Sequence, residues 1–104
     1  MFVLAGWCKR CVARDLLFAR SLASGRIFFV CAACAGAGPT IDDCESHISE
    51  VHLKLAPAGW ALASLDEVKA AGLGSQVEGE ALETYADLIS WYPGFSHPGH
   101  HCND

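Results

Sequence analysis

The sequence predicts an α+β fold with an amino-terminal β hairpin, a short hairpin or loop region, and two carboxy-terminal helices. Two cysteine pairs with the same internal spacing flank the segment 26–30, which is rich in β-branched and aromatic residues and so favours a strand. A Ser-x-x-Glu capping box opens a helical pattern at Ser64. Apolar residues then recur at helical spacing over 76–92. With 104 residues, 52% of them hydrophobic and 18% charged, the chain has the size and composition of one globular domain.

The amino-terminal part begins with a short predicted strand at 2–7, which leads into the first cysteine pair. The segment 12–22 fits either a helical stripe or a strand, and the neighbouring sequence RIFFV favours a strand that pairs with it across a turn at 23–25. This hairpin brings Cys31 back beside Cys11. The sequence AGAGPT that follows, at 35–40, is rich in small and turn-forming residues and is predicted to be flexible.

We place an internal boundary at that stretch, so that residues 1–40 form a first module and residues 41–104 an acidic extension packed on it. Imperfect alternation of apolar residues over 47–56, followed by the turn sequence PAG, predicts a second short hairpin. The capping signal occurs twice, at Ser64–Glu67 and at Ser75–Glu78, and Gly72 ends the first of the two helices. The second helix spans 76–92 and has an apolar face made of Val77, Ala81, Leu82, Tyr85, Leu88, Ile89 and Tyr92.

Charge is distributed unevenly along the chain. Residues 1–40 contain five lysines and arginines against one aspartate, a net charge of +4, whereas residues 41–104 contain two lysines against eleven carboxylates, a net charge of −9. No segment approaches the roughly 18–20 uninterrupted apolar residues of a membrane helix, and the start MFVLAGWC lacks the basic region of a signal peptide. We therefore expect a cytoplasmic protein that does not associate with membranes.

The pattern C-x2-C-x19-C-x2-C predicts a structural metal site. Zn²⁺ binds four thiolates tetrahedrally at about 2.3 Å, and a gap of two residues lets both sulfurs of a pair reach one ion from a tight turn. Six cysteines in a reducing compartment also favour metal ligation over disulfides. The alternatives are an iron site with the same ligands, thiol–disulfide exchange at one pair, and two structural disulfides, and we favour zinc over each of them. The predicted ligands are Cys8, Cys11, Cys31 and Cys34.

These four cysteines resemble the two knuckles of the zinc-ribbon family, and the resemblance covers residues 1–36. It implies two facing β-turns that hold one zinc ion. The sequence departs from the family's common pattern directly after each second cysteine, where Val12 and Ala35 stand in place of glycine. Zinc ribbons serve in transcription, translation, enzyme and adaptor proteins, so the resemblance implies no particular activity.

We do not expect a second metal site. Cys44 and His47 are three residues apart in the sequence DDCESH, but neither this spacing nor that of the tail matches a standard template. A buried free thiol at Cys44 and an exposed tail are the simpler interpretation. The tail residues concerned are His97, His100, His101 and Cys102.

We expect a protein-interaction or adaptor module and not an enzyme. The chain has no G-x-S-x-G, P-loop or H-E-x-x-H motif, and a four-cysteine sphere leaves no position for water. A partner protein would contact exposed aromatic residues or the acidic face of the last helix. The candidates are Trp7, Trp60 and Trp91 for the former, and Glu80, Glu83 and Asp87 for the latter.

Two other functions remain open. An acidic face would also suit an immunity or inhibitor protein that covers a basic target. Alternatively, the basic hairpin could bind nucleic acid through phosphate contacts from Arg14, Arg20 and Arg26, although the overall charge of −5 opposes binding to a polyanion.

Overall fold

The computed structural model describes residues 2–81 and 84–96. It confirms a small α+β fold in which a few short helices pack on an antiparallel sheet. The strands are β1 (Val3–Gly6), β2 (Leu16–Ser21), β3 (Ile27–Cys31), β4 (Gly36–Gly38), β5 (Ser46–His47), β6 (Trp60–Leu62) and β7 (Gly79–Glu80). The helices are α1 (Ile48–Leu55), α2 (Leu65–Ala70) and α3 (Thr84–Leu88), and a 3-10 turn spans Gly74–Gln76.

The sheet has the strand order β5-β4-β3-β2-β1-β7, and β6 also pairs with β2. All of these pairings are antiparallel. The predicted hairpin of β2 and β3 is confirmed, with a register that runs from Leu16 opposite Cys31 to Arg20 opposite Ile27. Leu16, Leu17 and Phe18 are all buried, because β2 lies in the middle of the sheet and is covered on both faces. This register places the open end of the hairpin beside both cysteine pairs.

The core is divided by the sheet into two clusters, as the alternation of side chains along a strand requires. One face buries Leu17 and Val30 together with residues of α1 and the C-terminal segment. The other face buries Leu16 and Phe18 together with α2 and the buried cysteines. Two of the metal-ligand candidates, Cys8 and Cys31, belong to the second cluster, and Cys34 packs against it.

Residues 35–40 were predicted to form a flexible connection, but the structure of this stretch is different. Gly36–Gly38 is the buried strand β4, which pairs with β3 on one side and with β5 on the other. Its small residues allow the backbone to approach closely, since a Cβ atom at Gly38 would overlap the backbone of Asp43. The predicted flexibility is therefore wrong, and the sheet continues across the boundary placed after residue 40.

The prediction of a second short hairpin at 47–56 is also wrong, because Ile48–Leu55 forms the helix α1. The helix buries Ile48 and Val51, three residues apart, and leaves Leu53 69% exposed, so the apparent alternation does not correspond to two faces of a strand. The side chain of His47 caps the helix by accepting a hydrogen bond from the Ser49 amide. The predicted turn after it leads into β6, which pairs with β2 instead.

The capping box at Ser64 and Glu67 is confirmed at the start of α2, and Gly72 follows the helix in the left-handed conformation, with φ of +79°. The prediction of a long helix at 76–92 is wrong over its first part. Amides of residues 78 and 81 donate to the carbonyls of Leu4 and Phe2, and β7 pairs with β1. Backbone hydrogen bonds to the edge of the sheet, and not the helical periodicity, therefore determine the structure of this segment.

Within the C-terminal segment, α3 is limited to Thr84–Leu88. Ile89 and Tyr92 are buried as the predicted apolar face requires, whereas Leu88 is 53% exposed. Leu82 and Glu83 lie outside the described residues. None of the helices in the described ranges combines the length and the apolar composition needed to cross a membrane.

Candidate metal centre

Each cysteine pair lies on a tight turn, and the two turns have the same geometry. The first knuckle, residues 8–12, lies between β1 and β2, and its last amide donates to the carbonyl of Cys8 at 2.8 Å. The second knuckle, residues 31–35, lies between β3 and β4, and the amide of Ala35 donates to the carbonyl of Cys31 at 3.2 Å. Val12 and Ala35 both adopt the left-handed conformation, with φ of 64° and 62°. The backbone therefore has the form that glycine would adopt freely, although neither residue is glycine.

The four predicted ligand residues are brought together by the pairing of β2 with β3. Their sulfur atoms all lie within 4.8 Å of one another. Across the knuckles, the sulfurs of Cys8 and Cys34 are 3.7 Å apart and those of Cys11 and Cys31 are 3.6 Å apart. Tetrahedral coordination at about 2.3 Å places neighbouring sulfurs about 3.8 Å apart, whereas a disulfide needs about 2.05 Å. The four free thiols are thus spaced for one tetrahedral metal ion such as Zn²⁺.

Backbone amides point at several of these sulfurs. The amides of Ala33 and Gly36 donate to the sulfurs of Cys31 and Cys34, each at 3.4 Å. Such bonds favour the thiolate, which is the form that binds a metal. At Cys11 burial acts to raise the pKa, but hydrogen bonds from the Ala13 amide and from the other three cysteines outweigh it, and the pKa is lowered.

Cys31 and Cys34 show the opposite balance. Burial is the main cause that raises the pKa of Cys31 and of Cys34, and neighbouring cysteines add to it. Four thiols held this close cannot all ionise without a compensating charge. A divalent cation supplies that charge and deprotonates the thiols it binds. The donor set therefore fits a soft or borderline cation such as Zn²⁺.

Tyr92 is a residue of the site that sequence reasoning placed only on an apolar face. Its hydroxyl donates a 2.8 Å hydrogen bond to the carbonyl of Cys31. Burial is the main cause that raises the pKa of Tyr92 to about 12, so the hydroxyl stays protonated and can donate. No local pattern indicates this contact, because the two residues are separated by 61 positions.

Two of the candidates for a second site have other roles in the fold. Cys44 is fully buried, and its thiol donates to the carbonyl of Thr40 at 2.7 Å. Burial is the main cause that raises the pKa of Cys44 to about 12. His47 caps α1 through its Nδ1 atom. His97, His100, His101 and Cys102 lie outside the described residues.

Three basic side chains of the amino-terminal part contact carboxylates. The ammonium group of Lys9 lies 2.6 Å from Asp42. The guanidinium groups of Arg14 and Arg20, which were candidates for phosphate contacts, lie 3.5 Å from Glu78 and 2.5 Å from Glu67. Pairs as exposed as those of Lys9 and Arg14 add little to stability, yet any phosphate would have to displace them.

Exposed aromatic and aliphatic side chains lie beside the first knuckle and in the C-terminal segment. Trp7 is 57% and Trp91 69% exposed, whereas Trp60 is fully buried and was wrongly considered available to a partner. The indole of Trp60 donates instead to the carbonyl of Pro93 at 2.8 Å.

No family model matches the chain, and no significantly similar protein was found among the curated proteins or the solved structures. The interpretation of the site therefore depends on its geometry and donor chemistry.

Replacing Val12 with glycine is expected to stabilise the protein by up to about 1 kcal/mol. The left-handed conformation costs a residue other than glycine about 1–2 kcal/mol, glycine costs about 0.5–1 kcal/mol in chain entropy, and Val12 loses little packing because it is 70% exposed. Urea unfolding of the metal-loaded protein measures the change. Ala35→Gly is the matched control and should give no gain, since Ala35 is only 5% exposed and loses buried contacts. A destabilised Val12→Gly variant would contradict the assigned backbone strain.

Proposed function

We propose that this protein is a small protein-interaction or adaptor module whose fold is stabilised by one structural Zn²⁺ ion in a zinc-ribbon-like site. The observation that carries the proposal is the convergence of four cysteine sulfurs from two similar turns, at separations that suit one tetrahedral ion.

A structural role follows from the ligand set. Four protein ligands complete the coordination sphere of Zn²⁺, so no position is left for the water or substrate that metal-assisted catalysis requires. Cys8 and Cys31 are fully buried, and the ion would connect the β1–β2 turn to the β3–β4 turn. Such an ion adds its binding free energy to the stability of a small core.

The exposed side chains support a protein partner more than they support a nucleic-acid partner. Tryptophan is enriched at the centres of protein interfaces, and Trp7 and Trp91 both expose more than half of their surface. Two of the three arginines considered for phosphate contacts, Arg14 and Arg20, pair with carboxylates. The net charge of −5 would also repel a polyanion.

Affinity capture from native lysate, followed by competition with surface variants, tests this function. A specific partner should be captured by the metal-loaded wild type and lost from Trp7→Ser or from Trp91→Ser. Leu53→Ser is the control, because Leu53 is similarly exposed but lies on α1. Salt-dependent binding to a generic DNA or RNA probe, with no protein captured, would contradict the proposal and favour the nucleic-acid alternative.

A further inference from the structure

Tyr92 connects the C-terminal segment, residues 84–96, to the backbone of a predicted ligand residue. The ring is only 4% exposed, and the hydroxyl donates to the carbonyl of Cys31 at 2.8 Å. The amide of Ala35 donates to the same carbonyl at 3.2 Å. The carbonyl of Cys31 therefore accepts hydrogen bonds from both the Tyr92 hydroxyl and the last residue of the second knuckle.

A second tyrosine of the same segment makes a comparable contact that does not reach the knuckle. The hydroxyl of Tyr85 donates to the carboxylate of Asp15 at 2.6 Å. The amide of Ala32, next to Cys31, is bound instead by the main-chain carbonyl of Asp15, at 3.0 Å. The hydroxyl of Tyr85 thus binds a side chain, whereas that of Tyr92 binds the turn itself.

We propose that Tyr92 is a positioning residue of the metal centre, which orders the second knuckle through the carbonyl of Cys31 and couples metal affinity to the docking of the C-terminal segment. This inference rests on the proposed function, because it requires that the four cysteines bind a metal ion. Hydrogen bonds from residues outside the ligand set hold ligands in the orientation that the ion needs, so less freedom is lost on binding.

The coupling is reciprocal by thermodynamic necessity. The factor by which docking of the segment raises the metal-binding constant is also the factor by which bound metal raises the equilibrium constant for docking. The rings of Trp91 and Tyr92 are nearly perpendicular, with centroids 4.7 Å apart, and Trp91 is itself 69% exposed. Metal loading therefore holds an exposed aromatic side chain in place, which makes its availability to a partner dependent on the metal.

Titration of the full chain with Co²⁺ tests the proposal, because cobalt–thiolate absorption bands report on ligand number and geometry. Tyr92→Phe should still bind one equivalent, but with a dissociation constant raised about tenfold and with shifted bands. Tyr85→Phe is the matched control, which loses one hydroxyl from the same segment, and should stay within about threefold of wild type. Equal effects of the two variants, or no effect of either, would overturn the proposal.

A measurement on the wild type decides the question even if Tyr92→Phe does not fold. Amide hydrogen exchange of Tyr92 and Ser96 is followed at several free Zn²⁺ concentrations, from the dissociation constant to about tenfold above it. If the segment opens only when the metal leaves, exchange slows in proportion to free zinc. Exchange that is independent of zinc contradicts the coupling. A wild type without any four-thiolate cobalt spectrum would instead overturn the proposed function, and this inference with it.

Discussion

Replacing Cys8 with serine is expected to unfold the protein at room temperature. Structural Zn²⁺ sites contribute an apparent binding free energy of about 10–16 kcal/mol, which equals or exceeds the about 5–15 kcal/mol by which whole domains are stable. The loss of one thiolate removes a large part of it. Cys8 is fully buried, and its knuckle joins β1 to β2, which pair with β7 and β6. Unfolding should therefore extend beyond the first 40 residues, and the dispersion of amide chemical shifts measures it.

The matched control for this variant is Cys44→Ser. Cys44 is as deeply buried as Cys8, but its thiol donates to the carbonyl of Thr40, and a serine hydroxyl can keep a similar bond. The control should stay folded and bind metal. Cys34→Ser and complete removal of metal by a chelator should both reproduce the effect of Cys8→Ser. Retained shift dispersion after complete metal removal would contradict the account.

The substitution Gly38→Ala is expected to cost about 3 kcal/mol or more, the upper range for overpacking. A Cβ atom there would overlap the carbonyl oxygen of Asp43 and would crowd the Cα of Cys44, and both are backbone atoms that cannot rotate away. β4 would have to move away from the segment that leads into β5, although its pairing with β3 holds it in place. Denaturant unfolding of the metal-loaded protein measures the loss.

Gly79→Ala provides the comparison for this effect. Gly79 is also a strand glycine, in β7, but a Cβ atom there meets nothing within 4 Å. Its replacement should change stability by no more than about 0.5 kcal/mol. Similar losses in the two variants would show that the close approach at Gly38 is not what limits this position.

Local signals in the sequence predicted the parts of the fold in which neighbouring residues decide the structure. The hairpin was predictable because RIFFV favours a strand and a turn precedes it. The capping box at Ser64 was predictable because both of its hydrogen bonds lie within one turn. The four clustered cysteines follow from the repeated spacing, since a gap of two residues places both sulfurs on one turn.

The predictions failed where distant parts of the chain determine the structure. Gly36–Gly38 consists of two glycines and one alanine, which do not indicate a strand, and only the approach of Asp43 and Cys44 explains its glycines. The segment around Gly79 has an apolar periodicity that suits a helix, but the edge of β1 offers it backbone hydrogen bonds. The role of Tyr92 depends on a contact across 61 residues. These features depend on tertiary pairing, which local patterns do not encode.

Metal analysis of the untagged protein, combined with its intact mass under native conditions, tests the central claim most directly. We expect one zinc ion per chain in the wild type and none in Cys8→Ser. A folded chain without metal, or a mass showing disulfides among the four cysteines, would contradict it. Iron in place of zinc would contradict the proposed zinc ion, although it would still support the four cysteines as ligands.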